Sequence, residues 1–352
     1  MNQLKEERDF ATPLVEWFKE NKREMPWRRT SDPYCIWVSE VMLQQTQVVT
    51  VIPYYINFME RFPTVSDLAR ATLEEVHTYW QGLGYYRRGE NLWKGAKVVE
   101  EKWGGKFPQD PKLIKEIPGI GPYTLGAICS IAFHMPLPAV DGNVMRVMSR
   151  WYRMTEDIGI AKNRKQFEEK VMENMPNDPN QFNQALMELG ALICTPKSPK
   201  CEECPVKALC KAYQKGEQEN YPVKEKKLKK VEEHYYVLII EKEHQIGMVK
   251  RGADGLLANL WGLPMILEEE GKKLGLEELS HALLKSITHI FTHRKWHMTP
   301  VVIKHSNQLE FLLEGRENKE EILYVDEENI KELPIATAFK KVLNQYGFPK
   351  IK

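Results

Sequence analysis

The 352-residue chain is short of net charge: 50 Lys and Arg against 49 Asp and Glu leave +1. So even a balance argues against a protein that wraps nucleic acid by bulk attraction, though not against one with a local binding surface. No apolar run approaches the ~18 residues that span a bilayer. The N-terminal MNQLKEERDF is too charged for a secretory signal, and an intracellular, cytoplasmic protein without membrane contact is expected. Cysteine is scarce, with six in the chain, and in a large cytoplasmic protein they do not suggest a disulfide scaffold. Apolar residues are plentiful. A hydrophobic fraction of 42%, with 9 Trp, 14 Tyr and 12 Phe, excludes disorder. The length predicts two domains, each able to bury a core.

Residues 1–214 read as a bundle of short helices punctuated by Pro and Gly. In PTVSDLARATLEEVHTYWQGLG, Ser66 and Asp67 resemble a helix start and Gly82 a stop. Residues 215–230, KGEQENYPVKEKKLKK, carry +3 and almost no large apolar side chain, which reads as a basic linker. Beyond it HYYVLIIEK, QIGMVKR, THIFTHRKWHMTPVVIK and EILYV have strand composition, with helices expected at LGLEELSHALLKS and ATAFKKVLNQY. Residues 231–352 should therefore form an α+β domain, a sheet flanked by one or two helices. That half carries −3 and the first carries +1, so DNA contact in the first would need backbone amides and a few placed side chains.

Four of the six cysteines crowd into Cys194, Cys201, Cys204 and Cys210. Four thiolates on one short loop can enclose an iron–sulfur cube or a structural zinc, and the spacing alone does not choose. In LIKEIPGIGPYTLGAI, Gly119 and Gly121 sit in a sharp turn between two helices. Amides at the second helix's N-terminus can face a phosphate there, and an ordinary turn between packed helices is the plainer alternative. Glu40 lies inside the apolar IWVSEVML, where an acid is costly to bury. Asp141 precedes a helix in LPAVDGNVMRV, where capping is its commonest work. Two carboxylates across a sugar–base bond are what glycosidic cleavage requires: one protonates the leaving group, the other stabilises the cationic sugar.

With these motifs in this order, the chain resembles the adenine DNA glycosylase (MutY) family of the helix–hairpin–helix superfamily. The likeness is densest in PWRR, WVSEVMLQQTQV, GLGYYRR, IPGIGPYT, AVDGNVMRV and FNQALMELGALICTPKSPKC. It implies an all-α glycosylase domain followed by a MutT-like (Nudix-fold) domain. It also implies excision of adenine mispaired with 8-oxoguanine or guanine in double-stranded DNA, after the base is flipped out. By the same resemblance Glu40 is the general acid, Asp141 stabilises the sugar cation and Asn143 orients Asp141. Tyr123 stands where lyase-active relatives carry a Schiff-base Lys, which implies a monofunctional enzyme. Trp27, Arg28, Leu43 and Gln184 match positions lining the adenine pocket, Gln184 replacing a Glu found in some members. Gln45 and Tyr85 match residues that wedge into the duplex.

The cysteine loop, by resemblance, holds one [4Fe–4S] cluster of structural purpose, with Lys197, Lys200 and Lys207 approaching phosphates. In the second domain Phe291, Thr292 and His293 match the loop that probes the oxidised guanine, with Thr292 in place of a common Ser. Around GLPMILEEEGKKLGLEELSHALL the acids lack the spacing of the Nudix hydrolase helix, so no pyrophosphatase activity is expected. A monomer, working at the nucleoid of a bacterial-type cell through DNA, is the implied setting. Two other readings remain: a glycosylase/lyase like endonuclease III, opposed by Tyr123, and a non-catalytic lesion-binding protein, opposed by the retention of Glu40 and Asp141.

Overall fold

A computed structural model describes residues 9–225, 230–304 and 321–348. Residues 226–229 of the predicted linker and the first eight residues lie outside them. The chain divides into two compact units, one of residues 1–71 and 87–226, the other of 72–86 and 227–352. In chain order the helices up to the cysteine loop are α1 (Ala11–Asn21), α2 (Pro33–Leu43), α3 (Val48–Arg61), α4 (Val65–Arg70) and α5 (Leu73–Trp80). Then come α6 (Arg87–Trp103), α7 (Pro111–Ile114), α8 (Pro122–Phe133), α9 (Gly142–Tyr152), α10 (Arg164–Glu173) and α11 (Pro179–Leu192). After the loop follow α12 (Lys211–Gln214), α13 (Glu268–Lys273) and α14 (Thr337–Tyr346).

Local sequence starts these helices. Asp32, Asp110 and Asp178 each accept a hydrogen bond from the first turn of the helix they precede, and each is followed by Pro at the first helical position. There the missing N–H costs nothing. The stretch read as beginning at Ser66 has its cap two residues earlier: Thr64 accepts from Asp67 N, and the Asp67 carboxylate accepts from Thr64 N. α4 ends in a C-cap at Ala71, and a second N-cap at Thr72, accepting from Glu75 N, begins α5, which clusters with the second unit.

In the first unit α1, α9 and α11 close on a core of Leu14, Phe18, Val144, Met148, Trp151, Phe182 and Leu186. Each such side chain contributes roughly 1.5–3 kcal/mol of burial. Residues 218–225 are held to this unit: Arg150 Nε donates to the carbonyls of Gln218 and Tyr221, and Asp157 Oδ2 accepts from Glu225 N at 2.8 Å.

The second unit is a mixed sheet of β1 (Val231–Lys242), β2 (Gln245–Lys250), β3 (Trp261–Gly262), β4 (Met265–Leu267), β5 (Ala282–Leu283), β6 (Ile287–Ile290), β7 (Arg294–Lys304) and β8 (Ile322–Val325). The path runs β3-β2-β1-β7-β5, with β1 and β7 parallel and the other pairs antiparallel. Residues Tyr236–Ile240 are buried without alternation, as a central strand covered on both faces should be. The strands predicted from composition form, and THIFTHRKWHMTPVVIK resolves into the β6–β7 hairpin. The helix predicted over residues 274–286 does not. Gly275, at φ +67, follows the end of α13 and turns the chain, and Ala282–Leu283 pairs with β7 instead. The C-terminal helix forms as expected, burying Phe339, Val342 and Leu343.

Candidate active site

A cavity of about 1290 Å³ opens in the first unit between the starts of α8 and α9, the end of α2 and the face of α11. Glu40, Asp141, Tyr123, Asn143, Trp27, Arg28, Leu43, Gln45, Gln184, Gly119 and Gly121 all line it. Glu40 is there because α2 is apolar on every side: Ile36, Trp37, Val38, Val41 and Met42 are all buried, and Glu40 itself is 5% exposed. Burial pushes its carboxyl up to about 7, against the opposing pull of Tyr123. Asp141 raises it further and the Arg28 cation restrains it. The Tyr123 hydroxyl donates to Glu40 Oε2 and also lies 3.2 Å from Met187 Sδ.

Asp141 caps α9, and it does so while facing the cavity. Oδ1 accepts from Val144 N at 2.8 Å and Oδ2 from Asn143 Nδ2 at 2.7 Å. Burial raises its pKa; the Val144 amide and Asn143 hold the rise back. Asn143 is fixed in turn by Arg146 Nη2 at 2.9 Å, whose Nε donates to the Cys194 carbonyl.

Gly190 lets α11 approach this constellation: a Cβ there would lie 2.6 Å from Asn143 Cβ and 3.1 Å from its Cα. Gly190→Ala should therefore destabilise the protein by about 1–3 kcal/mol, outweighing the roughly 1 kcal/mol of added helix propensity. It should also slow turnover by moving Asn143. Thermal melts and rate measurements on the variant check this; an unchanged melting point means α11 simply slides.

Opposite the carboxylates stands a polar wall. Gln184 Oε1 accepts from Arg28 Nε at 3.2 Å, and Gln184 Nε2 donates to Asn180 Oδ1 at 2.6 Å. Arg28 and Arg23 both reach Glu188, at 2.9 Å each. Trp27 is buried with its ring edge-on to Tyr55 at 5.2 Å, and Leu43 is half-buried in the lining. Sequence reasoning missed Arg23, Asn180, Met187 and Glu188. The signal available was weak: Glu188 is an acid on the apolar face of a helix, as Glu40 is, within a stretch singled out only for its likeness.

At the cavity mouth Gln45 is exposed in the left-handed region, at φ +59. The preceding turn is held by Arg88 Nη1, which donates to the carbonyls of Val41, Met42 and Gln44 at the end of α2. Gly119 turns the hairpin at φ +83, against Asn91, where a Cβ would lie 2.9 Å from Asn91 Cβ. Gly121 caps α8 with open space in front of it, so a ligand could approach the backbone.

Cys194, Cys201, Cys204 and Cys210 are half-buried free thiols on one turn. Arg150 Nη1 lies 3.3 Å from Cys194 Sγ, and Cys210 Sγ is 3.6 Å from the Arg150 carbonyl. Among the described residues no three His, Cys, Asp or Glu side chains converge on a point fit for one metal ion. Four soft thiol donors on one half-buried turn are the donor chemistry that an iron–sulfur cluster or a structural zinc takes. Lys207 and Lys200 pair with Glu202 and Glu203 at 2.9 and 3.8 Å.

In the second unit Phe291 packs edge-on to Trp296 with centroids 4.7 Å apart, and Phe291 N donates to Arg294 O across the hairpin. Thr292 Oγ1 lies 3.4 Å from the hydroxyl of the exposed Tyr85, and His293 is exposed beside them.

Residues 38–177 match the HhH-GPD superfamily of base excision DNA repair proteins, residues 194–210 the iron–sulfur binding domain of endonuclease III, and residues 235–345 the NUDIX domain. The cysteine turn is thus a [4Fe–4S] loop. The rat adenine DNA glycosylase is 34% identical over 96% of this chain and 78% of its own length. That of Buchnera aphidicola subsp. Schizaphis graminum is 32% identical over 95% and 97%. The human enzyme is 36% identical over 81% of the chain, which spans 65% of that longer protein. Among solved structures, a thermostable thymine-DNA glycosylase aligns over 61% of this chain and all of its own, at 30% identity and a TM-score of 0.55. A trapped endonuclease III–DNA covalent intermediate, 23% identical, shares the fold over 61% and 98%, at a TM-score of 0.52. With these likenesses running through both halves, the chain belongs to the adenine DNA glycosylase family of base excision repair enzymes.

Proposed function

We propose that this protein removes adenine from 8-oxoguanine:adenine and guanine:adenine mispairs as a monofunctional glycosylase. The observation that carries the reading is the pair Glu40 and Asp141 in one cavity: a buried carboxyl poised to keep its proton near neutral pH, and a second carboxylate fixed by a helix start. Glu40 hands its proton to the flipped adenine as the bond to the sugar lengthens, and Tyr123 holds Glu40 in place. Asp141, oriented by Asn143, stabilises the cationic sugar until water adds. Excision is active with Glu40 protonated, so it falls as pH rises through about 7.

Trp27 and Leu43 sandwich the base, while Arg28 and Gln184 read its polar edge. Gln45 and Tyr85 fill the gap in the duplex, and the amides around Gly119 and Gly121 grip the backbone. Phe291, Thr292 and His293 probe the oxidised guanine, with the Thr292 hydroxyl as the polar contact. Cys194, Cys201, Cys204 and Cys210 hold the cluster, which orders the loop; when bound it supplies structure rather than proton transfer. The protein acts as a monomer at the nucleoid.

The test is release of labelled adenine opposite 8-oxoguanine, guanine and thymine, with and without alkali. Release is expected fastest opposite 8-oxoguanine, with strand breaks only after alkali. Breaks without alkali, trapped by borohydride, sink the monofunctional reading, and no release from any duplex sinks the enzymatic one.

A further inference from the structure

Glu188 is 1% exposed, yet its carboxylate accepts five hydrogen bonds from two arginines. Oε1 takes Arg23 N, Arg23 Nε and Arg28 Nη1; Oε2 takes Arg23 Nη2 and Arg28 Nη2, at 2.9 to 3.2 Å. A carboxylate offers about four lone-pair sites, so this one is saturated, and its partners line the cavity that holds Glu40 and Asp141. We propose that Glu188 is a positioning residue: its carboxylate pins the Arg28 guanidinium into the cavity wall, so that Arg28 Nε holds Gln184 and its other donors are kept from Glu40. This rests on the function proposed above.

The geometry leaves Arg28 little freedom. Nη1 is shared between Glu188 and the Arg23 carbonyl at 2.8 Å, Nη2 faces Glu188, and Nε faces Gln184. Asn180 closes the other end of the row by accepting from Gln184 Nε2. The amide of Gln184 is therefore oriented, with one Nε2 hydrogen and one Oε1 lone pair left for a base.

The charged and titratable groups acting on Glu40 come from several elements: Tyr123 of α8, Asp141 before α9, and Arg28 of the turn Pro26–Arg28. Arg164 at the start of α10 acts on Tyr123 in turn. Burial would raise the Glu188 carboxyl, but the two arginines hold it down to about 2, so it stays an anion near neutral pH. Without that anion the Arg28 cation has donors to spare near a carboxyl that keeps its proton because burial and Asp141 outweigh Tyr123 and Arg28.

The experiment is the pH dependence of single-turnover adenine excision from an 8-oxoguanine:adenine duplex by the full chain with its cluster. In Glu188→Gln the carbonyl opposes only part of the guanidinium pair, and Arg28 turns to Glu40. The limb near pH 7 is expected to move to lower pH by about one unit, the usual reach of a close opposite charge. The double variant Arg28→Gln, Glu188→Gln should bring the limb back toward wild type, since the cation responsible is gone. Glu188→Asp, which keeps the charge, should stand between wild type and Glu188→Gln. It also serves if Glu188→Gln does not fold, as judged by cluster absorbance and melting.

A limb that stays put in both single variants while rates merely scale down overturns the proposal and leaves Glu188 a structural ion pair. A wild-type enzyme that excises adenine with no limb in this range instead overturns the assignment of Glu40 as the acid, a separate failure.

Discussion

Glu40→Gln is expected to slow excision severely and, above neutral pH, to make the protein more stable. The rate loss is that of a general acid, about 10²- to 10⁴-fold. The stability gain follows from burial. A carboxyl whose pKa rises from 4.5 when unfolded to about 7 when folded binds its proton more tightly in the folded state. Its contribution is therefore full below pH 4.5, declines from there to about 7, and is lost above, for a total of about 3 kcal/mol at 1.36 kcal/mol per unit. Glutamine pays no ionisation penalty and can still accept from the Tyr123 hydroxyl. Denaturant midpoints at pH 5 and pH 8 test it: the variant should nearly match wild type at pH 5 and exceed it at pH 8. Equal offsets at both pH values mean that Glu40 does not titrate in this window.

Asp141→Asn should lose excision by about 10³-fold or more, since the charge facing the sugar cation is gone. The fold should survive, because an amide oxygen can accept from Val144 N as the carboxylate does. Asp141→Ala removes the cap as well, and should cost about 1 kcal/mol of stability beyond the same loss of rate. Binding to mispaired duplex is expected to persist in Asp141→Asn, measured by gel shift beside the excision assay. An Asn variant that releases adenine at a near-normal rate would falsify the assignment. An Asn variant that melts as early as the Ala variant would show that the amide does not cap α9.

Much of this candidate site was legible in the sequence because its residues stand out against their local pattern. Glu40 stands where an apolar helix should carry no acid, and Asp141 where a cap is wanted. The four crowded cysteines and the glycine turn at 119–121 announce themselves by spacing alone. What could not be read was pairing across the chain. Arg23 and Glu188 are 165 residues apart and Arg28 and Glu188 160, so no window joins them. The partner of the Tyr123 hydroxyl was equally hidden. The hydroxyl donates to Glu40, while Asp141 acts on it electrostatically.

In the fold, long-range pairing also defeated local pattern. Residues 274–286 have helical composition, but Gly275 turns the chain and Ala282–Leu283 is drawn to the edge of β7. The β1 run, continuous and apolar, was plain because burial on both faces leaves no alternation.

The double duty of Asp141 has a consequence for motion as well as for chemistry. Its carboxylate is oriented by the same bond that starts α9, so the ordering entropy of that side chain is settled when the helix folds rather than when DNA arrives. Fraying of the first turn of α9 and disarming of the site are then a single event. The hydrogen-exchange protection of one backbone amide, Val144, becomes a direct reading of the fraction of molecules ready to react.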